Sequence, residues 1–260
     1  MPSLAPELAP EHARAWIDRW DRQQEVYLPE REERFTAMID AVAAVAGRPD
    51  PLVLDLGTGP GSLGARLLDR LPAATVVGVD SDPVLLALGR SAYGDRPGLR
   101  FADVDLRTAD WPDRLGLDRP LDAAVSTTAL HWLPEADLRR TYAAVAGLLR
   151  PGGLLLNGDH FVVDSPTLAR LDRALLERED ARRFPGGHAE DWDAWWRALA
   201  ADPALAGLAA ERRRRWVPVE HHDSESGGLG THIAALRDAG FGEVGTLWQR
   251  GETRLLCAVR

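Results

Sequence analysis

The chain has 260 residues, 45% of them apolar and 27% charged, with a formal net charge of −9. That is ordinary for a water-soluble globular protein with a full core, and it argues against general binding to nucleic acid or to an anionic membrane, which leans on basic surfaces. All 31 basic residues are arginine, so chemistry that needs a lysine (Schiff bases, a P-loop) is absent. The single Cys257 excludes an internal disulfide or a multi-cysteine zinc site and reads as a small core residue. No signal peptide is visible, and no apolar stretch approaches the ~20 residues of a membrane span. A cytoplasmic protein, monomeric or homodimeric, is expected.

Residues 1 to about 12 are Pro-rich. From about Ala13 to Gly47 the pattern is helical, carried by Trp16, Trp20, Tyr27, Phe35, Met38, Ile39 and Val42, and Pro29 divides it into two helices. Gly47-Arg48-Pro49-Asp50-Pro51 stops the second helix. Strands and helices then alternate. A strand at about 52–56 is followed by a helix at 62–71, and a strand at 75–79 by a helix at 83–92 with Asp82 as its N-cap. The third strand runs over 99–102 into Asp103-Val104, and the fourth over 121–126. A helix at 135–149 leads to the fifth strand at 154–157. Such alternation predicts a mainly parallel sheet covered on both faces.

The rhythm breaks at 160–230, a polar helical stretch too long for a crossover, which reads as an inserted cap. Trp192, Trp195 and Trp196 form one helical stripe there. It either packs the cap onto the sheet domain or lines a substrate chamber. The run Arg212 to Arg215 reads as a solvated helix face. A helix at 231–239 and two strands at 244–249 and 253–259 close the chain, and their three-residue connection requires an antiparallel hairpin.

The organising stretch is Val53 to Gly64, a buried strand running into Gly57-Thr58-Gly59-Pro60-Gly61 and then a helix. Glycines there let the backbone approach a ligand, and the N–H groups at a helix start favour polar or anionic groups. Asp80 ends the next strand about 20 residues on, where a βαβ unit places a carboxylate for a ribose diol. A nucleoside-containing cofactor follows. Gly59-Pro60-Gly61-Ser62-Leu63-Gly64 is literally a G-x-G-x-x-G, which keeps an NAD(P)-dependent oxidoreductase open. Asp55 two residues before Gly57, the Asp103-Val104 pair and the C-terminal hairpin turn the choice elsewhere.

Together these features resemble the class I S-adenosylmethionine-dependent methyltransferases over roughly residues 50–159 and 231–260. The segments Ser126 to Pro134 and Leu148 to Leu155 are similar to small-molecule members of the trans-aconitate methyltransferase type. The resemblance implies a Rossmann-like, doubly wound, seven-stranded α/β sheet, mostly parallel with a C-terminal antiparallel hairpin. To this it adds a cofactor-covering segment (1–49) and a helical cap or substrate region (160–230). It implies S-adenosylmethionine as cofactor, S-adenosylhomocysteine as product, and a small-molecule acceptor methylated on O, N or C. In the implied site Gly57, Thr58, Gly59 and Gly61 contact the methionine part, while Asp55 braces the turn or meets the amino group. Asp80 and Ser81 take the ribose, Asp103 and Val104 the adenine, and Thr127 and Thr128 lie near the sulfonium. From the N-terminal segment, Tyr27, Arg31 or Arg34 reach the cofactor, unless the arginines form surface pairs with Glu30, Glu32 or Glu33.

Methyl transfer asks the protein to align and desolvate a nucleophile and sometimes to take its proton, a task suited to an imidazole. His131 at the fourth-strand exit is the first candidate base and His160 the second; otherwise His131 and Trp132 only shape the pocket. Trp132, Trp196 and His222 are candidate substrate contacts. His221 and His222 diverge in an extended segment, so no metal is expected. A cofactor-binding protein that does not methylate is the remaining alternative.

Overall fold

The computed structural model describes residues 8–28, 30–162, 165–215 and 227–260. Seven strands form one sheet in the order β3-β2-β1-β4-β5-β7-β6. They are β1 (Leu52–Leu56), β2 (Thr75–Asp80), β3 (Leu99–Asp103), β4 (Leu121–Thr127), β5 (Leu149–His160), β6 (Glu243–Arg250) and β7 (Thr253–Val259). β1 to β5 are parallel, and β7 inserts antiparallel between β5 and β6. The helices are α1 (Pro10–Tyr27), α2 (Arg31–Ala46), α3 (Ser62–Arg70), α4 (Pro83–Tyr93), α5 (Glu135–Leu148), α6 (Pro166–Arg183), α7 (Trp192–Ala201), α8 (Ala206–Arg215) and α9 (Leu229–Asp238).

Every residue of β1 is buried, because both faces of the sheet are covered and successive side chains enter opposite cores. Leu54, Leu56, Val77, Val79, Ala124 and Leu155 pack with Leu138, Tyr142 and Val145 of α5 and Leu236 of α9. Val53, Val76, Val125, Leu156 and Cys257 pack on the other side with Phe35, Met38 and Val42 of α2 and Leu63 and Leu67 of α3. A third cluster joins α1, α4, α7 and α8 through Trp16, Trp20, Leu85, Leu88, Trp195 and Leu205.

Local chemistry sets the element ends. Asp82 caps α4, accepting from the N–H groups of Val84 (2.9 Å) and Leu85 (3.2 Å), with Pro83 in the first turn. Glu30 stands at φ 62° between α1 and α2. The parallel sheet reverses direction in its strand order at the neighbouring β1 and β4, and the C-terminal ends there form the crevice where such sheets bind ligands.

One strand is longer than its sequence signal. β5 continues through Asp159 and His160, because β7 pairs with it from Leu154↔Val259 to His160↔Thr253. The hairpin thus fixes two polar residues on a rigid strand at the crevice. The tryptophan stripe of α7 packs on α1 rather than on the sheet. Trp195 is fully buried with its ring 5.6 Å from Trp16 and 5.0 Å from Trp20, and Trp192 lies 5.4 Å from Trp20.

Candidate functional site

The crevice has two halves. On the β1–β2 side, Gly57, Gly59 and Gly61 all have positive φ (67°, 55° and 88°), a region L side chains avoid. At Gly57 a Cβ would also overlap that of Ala129. Thr58 N–H donates to Val79 O (3.0 Å), and its hydroxyl donates to Asp55 Oδ2 (2.7 Å). Asp55 therefore braces the turn from beneath, fully buried, with Oδ1 lacking a partner. Burial pushes its carboxyl up to about 7, against the Thr58 hydrogen bond and with the Asp80 charge adding to the rise. Asp80 accepts from Gly59 N–H (2.8 Å) on one oxygen and from Asp82 N–H (2.8 Å) on the other. Desolvation and the Asp82 charge raise it to about 6, opposed by the N–H groups of Asp82, Gly59 and Ser81. Val104 is buried, its N–H on Asp80 O at 2.9 Å, and Asp103 is half-buried beside it.

On the β4–β5 side, His131 lies in a single 3-10 turn, Leu130–Trp132, just past β4. Its Nδ1 is 2.9 and 3.0 Å from the two oxygens of Asp159. Asp159 is 1% exposed and also accepts from the His160 N–H (2.9 Å). Burial alone would raise its pKa. The charge and hydrogen bond of His131, with the charge and N–H of His160, hold it instead at about 2. His160 points to the opposite face, its Nδ1 3.2 Å from Thr253 Oγ1, and burial lowers its pKa against the pull of Asp159. Beneath Asp159 lies a buried polar chain in which Asn157 donates to Tyr142 Oη (3.2 Å), 2.7 Å from His232 Nδ1. Burial drives His232 down to about 4.

Thr127 accepts from Arg34 Nη2 (2.6 Å), and Thr128 has φ 48° with its N–H on Gly158 O. Arg34 is 1% exposed and lies across Gly158, where a Cβ would meet its Cδ and Nε at 3.0 Å. Burial brings it down to about 10, against the favourable charge of Asp159. Arg31, equally buried, is paired with Asp21 (3.0 Å) and stacked on Phe35. Both arginines are interior groups of α2, and Arg31 also stands 4.0 Å from Glu32, one of the nearby glutamates.

The helical cluster covers the first half. A Cβ on Gly59 would lie 3.9 Å from Trp20, and Asp21 accepts from the Ser62 hydroxyl (2.7 Å) and from Arg66 (2.9 Å). Trp132 stands 5.3 Å from His131 and 6.4 Å from Trp192, and Trp196 lies under the Arg212 guanidinium at 3.7 Å. The arginine run of α8 is not simply a solvated face. Arg212 Nε donates to the buried Asp82 Oδ2 (2.5 Å), and Arg215 Nη1 reaches both oxygens of Asp103 (3.1 and 2.8 Å). Acids brought together by β2 and β3 recruit it, while Arg213 and Arg214 are exposed and Arg214 pairs with Glu211 of its own helix.

The structure thus gathers Asp55, Gly57, Thr58, Gly59, Gly61, Asp80, Ser81, Asp103 and Val104 at one half of the crevice and Thr127, His131, Asp159 and His160 at the other. The Tyr27 side chain and His222 lie outside the described residues. Sequence reasoning missed the tie of Asp159 to His131 and the pairing of Arg34 with Thr127. The only signal for the first was an acid at the exit of the fifth strand.

Seven strands in this order, with the glycine turn and strand-end acids at the crevice, define the class I methyltransferase fold. Comparison with known proteins agrees. Residues 53–153 match the family described as a methyltransferase domain. Trans-aconitate 2-methyltransferase of Streptomyces coelicolor is 33% identical over 171 residues, which are 64% of this chain and 52% of that protein. The Escherichia coli enzyme of the same name is 33% identical over 135 residues, 52% of this chain and 49% of that protein. The chain therefore spans about half the length of the curated relatives it matches. Among solved structures, the SAM-bound amino pentose methyltransferase of Micromonospora echinaspora aligns with a TM-score of 0.55 at 18% identity, over 93% of this chain and 96% of that one. An O-methyltransferase family protein from Burkholderia thailandensis aligns with a TM-score of 0.53 at 22% identity, over 96% and 70%. Residues 53–153 thus match a methyltransferase domain, and the chain shares its fold with solved methyltransferases. No described helix is long and apolar enough to cross a membrane.

Proposed function

We propose that the protein transfers a methyl group from S-adenosylmethionine to an oxygen of a small molecule, with nitrogen and carbon as less favoured acceptors. The observation that carries this reading is the pairing, at one crevice, of a glycine turn clamped to Asp80 with a half-buried His131 held by the buried Asp159. The residues fit the cofactor. Gly59 offers a cradle in which a Cβ would have no neighbour closer than 3.9 Å, and buried Asp55 Oδ1 has no partner. Gly57, Thr58, Gly59 and Gly61 would hold the methionine part, Asp80 and Ser81 the ribose, and Asp103 and Val104 the adenine. When bound, the cofactor supplies a methyl group on an already activated sulfonium.

The chain's own residues do the rest. Thr127 and Thr128 sit where the acceptor approaches. Asp159 accepts a hydrogen bond from the Nδ1–H of His131, which leaves Nε2 as the accepting nitrogen of the ring and orients it to take a proton from the nucleophile. His160, on the other face of β5, is a candidate second base. Residues 50–159 and 231–260 form the cofactor unit. Residues 1–49 and 160–230 cover it, and this suits a small acceptor that must be sequestered from water.

Thermal unfolding with saturating ligands tests the reading. A ligand at 100 times its Kd stabilises by about 2.7 kcal/mol, a shift of several degrees for a chain of this size. We expect that shift with S-adenosylhomocysteine and its loss in Asp80→Ala. A shift with NAD or NADP in its place overturns the proposal.

A further inference from the structure

Arg34 is the least satisfied charge in the described residues. Its guanidinium is sealed from solvent, it makes one hydrogen bond, to Thr127, and Nε and Nη1 have no partner. No described carboxylate lies within ion-pair distance of it. Asp159 is near enough for its charge to be felt, but both its oxygens are committed to His131 and one also to the His160 N–H. Arg31, three residues earlier and as deeply buried, has Asp21. Leaving buried donors unmatched is costly, more so when they carry charge. A planar guanidinium with unmatched N–H donors on both sides of the Nη2 that Thr127 takes is a natural partner for a carboxylate oxygen.

The second observation concerns the proton. A carboxylate oxygen is already a nucleophile and has no proton to lose, so a histidine oriented by a buried aspartate would add nothing to its methylation. A hydroxyl does need a base. Arg34 reaches the rim of β4 and β5 at Thr127 and Gly158, and His131 reaches the same rim at Asp159, from the opposite face. On the His131 side the rings of Trp132, Trp192 and Trp20 follow one another from the imidazole at 5.3, 6.4 and 5.4 Å, an apolar row suited to a flat body.

We infer that the acceptor is a hydroxyl-bearing aromatic carboxylic acid, anchored by its carboxylate on Arg34 and methylated on its hydroxyl. This rests on the methyltransferase reading above. The hydroxyl proton passes to His131 Nε2 as the oxygen pair forms the O–CH3 bond. The electron pair of the broken C–S bond returns to sulfur, giving S-adenosylhomocysteine, and His131 releases the proton to water.

Calorimetric titration separates the possibilities. With S-adenosylhomocysteine saturating, benzoate is expected to bind the wild-type protein at least tenfold more tightly than R34Q, while benzyl alcohol binds both alike. S-adenosylhomocysteine and 5′-methylthioadenosine, which lacks the amino-acid part, should each bind R34Q as they bind wild type. Should R34Q fail to fold, R34K, which keeps the charge but loses the fork, is expected to show the same selective loss for benzoate. Given 3-hydroxybenzoate and S-adenosylmethionine, the protein should form the methyl ether and no ester. The inference is overturned if wild type does not bind benzoate, if R34Q binds it equally, or if an ester or no product forms. It is overturned equally if R34Q weakens S-adenosylhomocysteine but not methylthioadenosine, which would assign Arg34 to the cofactor. Wild type binding neither adenosyl ligand would defeat the methyltransferase reading itself.

Discussion

Asp55 and Asp159 are both fully buried near the same end of the same sheet, on strands separated only by β4, yet their environments push them in opposite directions. Asp55 is raised to about 7 because burial is opposed by one hydroxyl and no cation. Asp159 is held at about 2 because two histidines supply charge and hydrogen bonds against the same burial. In the β1–β2 half, Asp55 and Asp80 are buried acceptors held by hydroxyl and N–H groups, while the arginines of α8 go to Asp82 and Asp103, which suits a ligand bearing donors and positive charge. The β4–β5 half already holds its charges in place and is suited to moving a proton. Burial alone does not set the state of a carboxylate; its neighbours do.

The largest effect should come from breaking the second half. Asp159→Asn removes the buried carboxylate and, because His131 is half-buried, should cost less than the ~3–5 kcal/mol of a fully buried pair; it also deprives His131 of its orienting acceptor. Methyl transfer is expected to fall by roughly 10²–10⁴-fold, the range for losing a general base. Urea unfolding and initial rates measure the two losses separately. The native pKa of Asp159 lies below its unfolded value, so its stabilisation is present above about pH 4 and disappears as pH falls toward 2.

The first half should respond to pH with the opposite sign and a smaller size. Asp55 and Asp80 bind protons more tightly folded than unfolded, so their contribution is fully present below about pH 4 and is lost as pH rises through about 6 to 7. These two carboxyls should therefore contribute a few kcal/mol on acidification from pH 8 to 5, at about 1.4 kcal/mol per unit of pKa shift, against the opposite contribution of His160 and His232, whose lowered pKa values cost stability below about pH 6.5. Asp55→Asn should flatten that slope; an unchanged slope in urea midpoints across this range would contradict the picture.

The smallest effect sharpens the comparison. Arg215→Ala removes an ion pair with Asp103 whose partners are both about 40% exposed, and such pairs contribute less than about 1 kcal/mol. On the proposed adenine role of Asp103, the variant should bind S-adenosylhomocysteine several-fold more tightly with little change in melting temperature. Weaker binding would instead make Arg215 part of the site.

Much of the fold was legible in sequence because glycine, proline and apolar runs punctuate it. Gly57 to Gly61 and Asp82-Pro83 mark boundaries by local chemistry alone, whereas Gly152-Gly153, which reads as the stop before the fifth strand, falls inside β5. The site was legible only where local geometry defines it, at the glycine turn and the strand-end acids. The tie between His131 and Asp159 depends on β7 extending β5, a pairing set by a strand almost 100 residues further on. Arg31 and Arg34 share a helix and a charge, and nothing in their spacing tells which one meets Asp21 and which crosses Gly158. Periodicity revealed that Trp192, Trp195 and Trp196 share a face, but not that α1 would cover it. Counting charge on α8 could not reveal that Asp82 and Asp103 would stand beneath Arg212 and Arg215.

The tryptophans that join α1 to α7 carry one more consequence. Indole rings 4.8 to 6.4 Å apart couple their excited states, and Trp20 also lies against the glycine turn. Near-ultraviolet dichroism and intrinsic fluorescence therefore come largely from the contact between the cover and the crevice, so the protein carries its own optical gauge of whether that cover is seated.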